Sequence, residues 1–346
     1  MTLPQKKKRK NTPSMSLYRM TARLRAAVAL FLLSLIAVVA GCSSSAADDA
    51  SASGTREVQT DRGAVSVPAD PQRIVVVNGS LAGYLYDLGA KVKAADPRVL
   101  GVTLKPGEFP AAWAEDAKAQ GTEVLPSGDD INLEFIASQQ PDLIIGGGQG
   151  YPGQQSIDAY DKLTAIAPTV LVPSNLTNWQ DQLKSVADAV NRSAEVEGLI
   201  SSYNDKVAEV KSTIKVPQGA VSVFQSRKDL KPSVIAPGTP LAALLSEVGF
   251  TIDDKVEAKA GNPTRAAAAD WVSFSPELTT TVVDAPVLFV VQLDGGRSIA
   301  QLREDPMLAA LPAFRSGQVY DLPATSQRPD YRNVMATLDL LAERFR

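Results

Sequence analysis

Ala194-Glu-Val-Glu-Gly-Leu-Ile-Ser-Ser-Tyr-Asn-Asp-Lys-Val-Ala-Glu-Val-Lys-Ser-Thr-Ile214 sets Leu199, Tyr203, Val207, Val210 and Ile214 at spacings of four, four, three and four. That spacing draws one apolar stripe along an α-helix. Ser193 is placed to cap it and Pro217 to stop it. At 1.5 Å per residue it reaches about 30 Å, enough to run from one lobe to another. A second helical pattern, Asn178–Ala189, precedes it.

On either side, short apolar runs alternate with helical patterns, as parallel βαβ units do. Before the helix the strand candidates are Ile74–Val77, Val92–Ala95, Leu143–Ile145 and Val170–Val172. After it they are Val221–Phe224, Ser233–Ile235, Val287–Val291 and Gln318–Leu322. The alternative is an ordinary crossover helix inside one sheet, which the restart of the strand pattern after it disfavours. The chain therefore reads as α/β, with two parallel-sheet lobes, 57–192 and 217–346, joined by one long helix at 193–216. Open parallel sheets bind ligands beyond the carboxyl ends of their strands, which predicts a ligand cleft between the lobes.

Cys42 is the only cysteine and closes Val39-Ala40-Gly41-Cys42 after the fifteen-residue apolar run Ala26–Ala40. Arg19, Arg23 and Arg25 supply the positive start of an export signal. The run falls short of the about 20 apolar residues that span a bilayer. Residues 1–41 thus read as a lipoprotein signal peptide, with Cys42 as the acylated residue and 42–56, rich in Ser, Ala and Asp near its start, as a flexible tether. Lys6 to Lys10 belong with the positive segment, and Met15 or Met20 are alternative starts. The predicted location is the extracytoplasmic face of the cell membrane, held by the lipid anchor.

Eight of the 35 Lys/Arg and none of the 38 Asp/Glu lie in residues 1–41, leaving 27 basic against 38 acidic residues and a balance of −11. Such a surface argues against nucleic acid as a partner. Histidine is absent and the single thiol is used by the anchor. This excludes Ser-His-Asp and Cys-His catalysis and the usual zinc and copper ligands, so no direct metal site and no cofactor are expected. Residues 148–153 fit G-x-G-x-x-G, but Pro152 interrupts the pattern and it follows the third strand, not the first. That excludes a dinucleotide fingerprint and leaves a flexible cleft wall carrying Tyr151.

Five segments carry a resemblance. Pro71-Gln-Arg-Ile-Val-Val-Val, Asn132-Leu-Glu-Phe-Ile-Ala-Ser-Gln-Gln-Pro-Asp-Leu-Ile-Ile, Ile166-Ala-Pro-Thr-Val, Leu244-Leu-Ser-Glu-Val-Gly-Phe and Pro312-Ala-Phe-Arg-Ser-Gly-Gln-Val-Tyr lie in an ordered series. Over residues 57–346 the chain resembles solute-binding proteins of the ferric-siderophore and cobalamin uptake class, and within it the FecB-like ferric-dicitrate and hydroxamate branch. The resemblance implies a monomeric, non-enzymatic receptor that grips a ferric siderophore between two lobes and hands it to an ABC permease. It also implies that Glu134 and Glu277 dock into the permease. Both sit near helix starts, where a capping or dipole role is the alternative.

The strand ends nominate the ligand contacts. In the first lobe these are Asn78, Ser80, Tyr84 and Tyr151; in the second, Phe224, Arg227, Trp271, Arg297, Arg328 and Tyr331. Guanidinium groups suit chelate oxygens and rings suit flat faces. A siderophore already saturates its iron, which fits a chain without histidine. Haem, through an axial tyrosinate from Tyr84, Tyr151 or Tyr331, and cobalamin remain alternative cargoes of the same fold. An anchored hydrolase using Asp294 or Asp330 is a more distant one, lacking any paired-carboxylate motif. A sensor or assembly factor that keeps the fold without transporting is another.

Overall fold

The hairpin of β1 (Thr55–Thr60) and β2 (Gly63–Pro68) starts the computed structural model, which describes residues 54–265 and 269–346. The segment expected to be an export signal, and Cys42, lie outside the described residues. Thr55 and Arg56, assigned to the tether from sequence, are already strand: Thr55 pairs with Pro68 and Arg56 with Val67 across the antiparallel hairpin. The buried Val58 and Val67 anchor that hairpin to the core.

The first large sheet has the order β5-β4-β3-β6-β7, all parallel, from β3 (Ile74–Val76), β4 (Val92–Ala95), β5 (Glu123–Val124), β6 (Leu143–Gly147) and β7 (Thr169–Val172). Its central strands are buried on both faces, which is why they read as continuous Val/Ile runs. The second sheet has the order β11-β9-β8-β12-β13, with β10 beside the start of β8. Its strands are β8 (Ala220–Ser226), β9 (Ser233–Ile235), β10 (Thr251–Ile252), β11 (Trp271–Ser273), β12 (Val287–Gln292) and β13 (Val319–Leu322).

Two sets of four strands thus become five and six. The short β5 and β10 carry too little apolar sequence to stand out, and β11 alternates at a sheet edge. The second sheet is also mixed, not purely parallel, because β9 runs antiparallel to β8 and β11. Only Arg227–Pro232 links β8 to β9. That link has no room for the crossover of a dozen or so residues that a parallel pair needs.

Between the sheets, a 3-10 turn (Ser193–Glu195) leads into the helix Val196–Thr213. Its 18 residues span about 27 Å. Ser193 does not cap it, since the turn shifts the cap position to Glu195, which makes no side-chain capping bond. Tyr203 and Val210 are buried, and Leu199, Val207 and Ile214 pack partly buried on the same core. Tyr203 ties the helix to both sides: its ring meets Trp179 of the helix Trp179–Ala189 at 5.1 Å, and its hydroxyl donates to the Glu247 carboxylate of the helix Pro240–Glu247.

One hydrophobic cluster contains Ile74 and Val76 of β3, Tyr203 of the connecting helix, Val221 and Phe289 of the second sheet, and Leu338 and Leu341 of the terminal helix Tyr331–Arg344. The two sheets share a core, so large rigid-body separation would expose apolar surface.

Candidate functional site

The loops that leave the carboxyl ends of the strands converge on one cleft. After β3, Asn78 caps a short turn and presents Ser80. After β4 the chain runs through Asp96-Pro97-Arg98-Val99-Leu100, and after β6 through Gln149, Gly150 and Tyr151. The second sheet contributes Ala324, Thr325, Arg328 and Asp330 beyond β13. All of these except Asn78, Asp96 and Pro97 join Tyr84, Pro152 and Gln182 in enclosing about 250 Å³.

Two further hollows adjoin it. One of about 190 Å³ shares Gln149 and Arg328 and adds Thr177, Thr239, Arg265 and Asp270. Another, of about 160 Å³, shares Ser80, Thr325, Arg328 and Asp330 and extends over Val102, Pro110 and Trp113. Arg328 borders all three.

Charge in the cleft is arranged in pairs. Arg98 holds Asp96 through Nε (3.0 Å to each carboxylate oxygen) and Nη2 (2.6 Å to Oδ2), and Nη1 donates to the Gly128 carbonyl at 3.2 Å. Arg328 meets Asp270 in the same forked manner, Nη2 to Oδ1 at 3.0 Å and Nε to Oδ2 at 3.2 Å. Gln327 Nε2 also donates to that carboxylate. Its Oε1 accepts from Gln225, whose own Oε1 accepts from Ser233, so a buried polar chain fixes Asp270.

Asp330, 6 % exposed, is the N-cap of the terminal helix: its Oδ1 accepts from Asn333 N and Nδ2, both at 2.8 Å. Burial pushes its carboxyl pKa up, against the hydrogen bonds from Asn333 that pull it down. Tyr84 is buried beside it. Burial, then the charges of Asp330 and Asp87, push its phenol well above the ordinary range.

Of the residues nominated from sequence, Ser80, Tyr84, Tyr151 and Arg328 come together in the main cavity. Tyr151 is 59 % exposed, with Arg98 5.9 Å from its ring centre and its hydroxyl donating to the Asp129 carbonyl. Trp271 lies alongside, 5.6 Å from the Arg328 guanidinium and 5.9 Å from that of Arg227, whose own carboxylate partner is Asp229. The others are placed elsewhere. Asn78 is fully buried, its Nδ2 donating to the Gly147 and Gln149 carbonyls and its Oδ1 accepting from Ser80 N, so it shapes the cleft floor without facing it.

Phe224 belongs to the apolar core with Leu288, Val290 and Phe314. β8 runs on to Ser226, so strand alternation leaves Phe224 on the core side. Tyr331 packs on Trp179 at 5.6 Å, and Arg297 pairs with Asp305 at 3.3 Å; neither lines the cavity.

The glycine-rich wall is ordered rather than loose. Gly147 ends β6 with φ +74°, and a Cβ there would lie 2.3 Å from the Val172 carbonyl. Gly150 to Gly153 form the first turn of a helix, where Pro152 is tolerated. Sequence reasoning missed Arg98, Leu100, Gln149 and Gln182. It inspected the first and third strand ends of the first lobe, whereas the loop after the second strand, Asp96–Trp113, supplies one whole wall.

The carboxylates an acid–base reading would use are committed to structure. Asp294 accepts from Thr103 Oγ1, and Asp330 caps its helix. Glu134 and Glu277 are exposed. Asn132, not Glu134, caps the helix Leu133–Ser138, its Oδ1 accepting from Phe135 N at 2.9 Å.

The model of a family described as periplasmic binding protein matches residues 74–325. The ferric enterobactin-binding periplasmic protein FepB of Escherichia coli O6:H1 is 26 % identical over 292 residues, 84 % of this chain and 91 % of that one. The probable siderophore-binding lipoprotein YfiY of Bacillus subtilis is 32 % identical over 191 residues, 54 % of each chain. Among solved structures, holo-ViuP superposes with a TM-score of 0.69 at 23 % identity, over 84 % of this chain and 95 % of that one, a likeness of fold. With the match running from β3 through the connecting helix to the cleft residue Thr325, the chain belongs to the periplasmic binding protein family.

Proposed function

We propose that this chain is an extracytoplasmic receptor, anchored by acylated Cys42, that binds a ferric siderophore and delivers it to an ABC importer. The carrying observation is the cleft itself: strand ends of both sheets meet around Arg328, with Tyr84, Tyr151, Arg98 and apolar walls. A preformed hollow that mixes apolar walls with guanidinium, amide and hydroxyl groups suits a chelate whose iron needs no protein ligand. The names of FepB and YfiY support the same cargo class, and YfiY the lipid anchor.

Binding proceeds without catalysis. Chelate faces pack on Tyr151, Leu100 and Pro152, and polar edges meet the outer guanidinium nitrogens. Because the sheets share a core, capture involves modest lobe movement. Glu134 and Glu277 are the proposed contacts to the permease, and 57–192, 193–216 and 217–346 the proposed first lobe, connector and second lobe.

The test is a fluorescence titration of the purified protein with a panel of iron-loaded siderophores, haemin and cobalamin. Trp113 borders the cleft and Trp271 stacks beneath Arg328, so a siderophore should quench emission saturably. Saturation by haemin or cobalamin alone would shift the cargo within the fold. No response to any compound would overturn the reading.

A further inference from the structure

Resting on the siderophore reading, we infer that the cleft selects ferric complexes of little or no net charge, of the tris-hydroxamate type, and discriminates against strongly anionic tris-catecholate complexes, with Asp96 and Asp270 setting that preference.

Every cation lining the three hollows already has a carboxylate partner. Arg98 has Asp96, Arg328 has Asp270 at 3.0 Å, and Arg265 has Glu257 at 2.9 Å. Among the described residues the other charged side chain on the walls is Asp330. With three arginines against three paired carboxylates and one more acid, the site offers a ligand no net positive charge.

The partners are not free to step aside. The Asp96 side chain is 1 % exposed and also accepts from Arg98 N at 2.8 Å; that of Asp270 is 7 % exposed and held by Gln327. A ligand that pulled either arginine away would strand a buried carboxylate, a heavy penalty. An incoming anion therefore meets an ion pair rather than a bare cation, and at short range the carboxylate repels it.

A tris-catecholate complex of ferric iron carries three net negative charges, while a tris-hydroxamate complex carries none. The neutral complex has less water to shed and presents apolar faces suited to Val99, Leu100, Tyr151 and Pro152.

The experiment is a calorimetric or fluorescence titration of the full chain with three probes: ferrichrome (neutral), ferrioxamine B (cationic) and ferric enterobactin (trianionic). Ferrichrome or ferrioxamine B should bind at least about tenfold more tightly than ferric enterobactin. Asp270→Asn and, separately, Asp96→Asn should narrow or reverse that ratio by improving enterobactin binding, since each leaves an arginine uncompensated. Tighter binding of ferric enterobactin by the unaltered protein would overturn the charge assignment while leaving the siderophore function intact. Saturable binding by none of the three would instead remove the function on which it rests.

Discussion

Arg332 Nε, in the first turn of the terminal helix, donates to Asp87 Oδ1 at 2.6 Å across 245 residues of chain. The same guanidinium donates to the Ala112 carbonyl at 3.0 Å and to the Asp116 carboxylate, clasping the first lobe to the end of the chain. Among the described residues the buried Asp87 Oδ2 has no hydrogen-bond partner. Removing the arginine leaves that carboxylate uncompensated, so Arg332→Met should destabilise the fold by roughly 2–3 kcal/mol. Urea unfolding measures it. In the Asp87→Asn background the same substitution should cost clearly less, because the stranded charge is gone.

Burial pushes the Asp87 carboxyl up to about 6, with Arg332 pulling against it. The folded state thus holds this proton more tightly than the unfolded chain, whose carboxyl titrates near the ordinary value of 3.8. The stabilisation from protonation is complete below about pH 4 and is lost as pH rises through about 6. Unaltered protein should lose on the order of 2 kcal/mol from this group between those limits. Asp87→Asn should flatten that part of the stability–pH curve, as read by urea midpoints at pH 4.5 and 7.5. The buried Asp330 acts in the same direction in both proteins, so the difference between the two curves reports Asp87 together with its coupling to Asp330.

Much of this architecture was written locally. β4 and β9 have the ends the sequence predicts, and the connecting helix follows its apolar stripe, because strands buried on both faces and one-sided helices leave period signals. The cleft was legible in part: Tyr84, Tyr151 and Arg328 lie where strand-end logic puts them. The remainder depends on pairs far apart in sequence. Asp270 and Arg328 are 58 residues apart, and Asp330 touches Gly83 from the other end of the chain, which no local pattern announces. Phe224 misled because its strand runs two residues past the predicted end, to Ser226.

Gly83 leaves room for Asp330. A Cβ on Gly83 would sit 2.1 Å from Asp330 Oδ2 and 3.0 Å from its Cγ, while that carboxylate is held by Asn333. Gly83→Ala should therefore cost about 1–3 kcal/mol and loosen the cleft floor, lowering siderophore affinity as well as the melting temperature. Asp330→Ser keeps a capping side chain but shortens it. In that background Gly83→Ala should be nearly silent, and a full penalty there would show that the clash lies elsewhere.

Tyr151 contrasts with Gly83, since it stands on the first turn of its helix, mostly exposed, with Arg98 against its ring. A ring so placed contributes little to the core and much to a packed ligand. Tyr151→Ala should lower siderophore affinity by about 1 kcal/mol, or about five- to tenfold. Stability should stay within about 0.5 kcal/mol. Unchanged affinity would move the ligand away from this wall.

Glu134 and Glu277 are exposed, and neither lines the cleft. Capping at Glu134's helix is already supplied by Asn132, which leaves Glu134 a dipole contribution of a few tenths of a kcal/mol. Glu277 is held below the usual carboxylate range by its own backbone N–H and by the Ser275 hydroxyl, so it stays ionised at neutral pH and available to an arginine pocket. Reversing both, Glu134→Arg with Glu277→Arg, should therefore leave melting temperature and siderophore titration unchanged while abolishing siderophore-dependent iron uptake in cells. Each single reversal should give a partial loss, because the two proposed contacts stand on different halves of the chain and would anchor the receptor jointly. If uptake survives the double reversal, docking runs through other surface groups; if ligand binding falls with it, the carboxylates support the cleft rather than the permease.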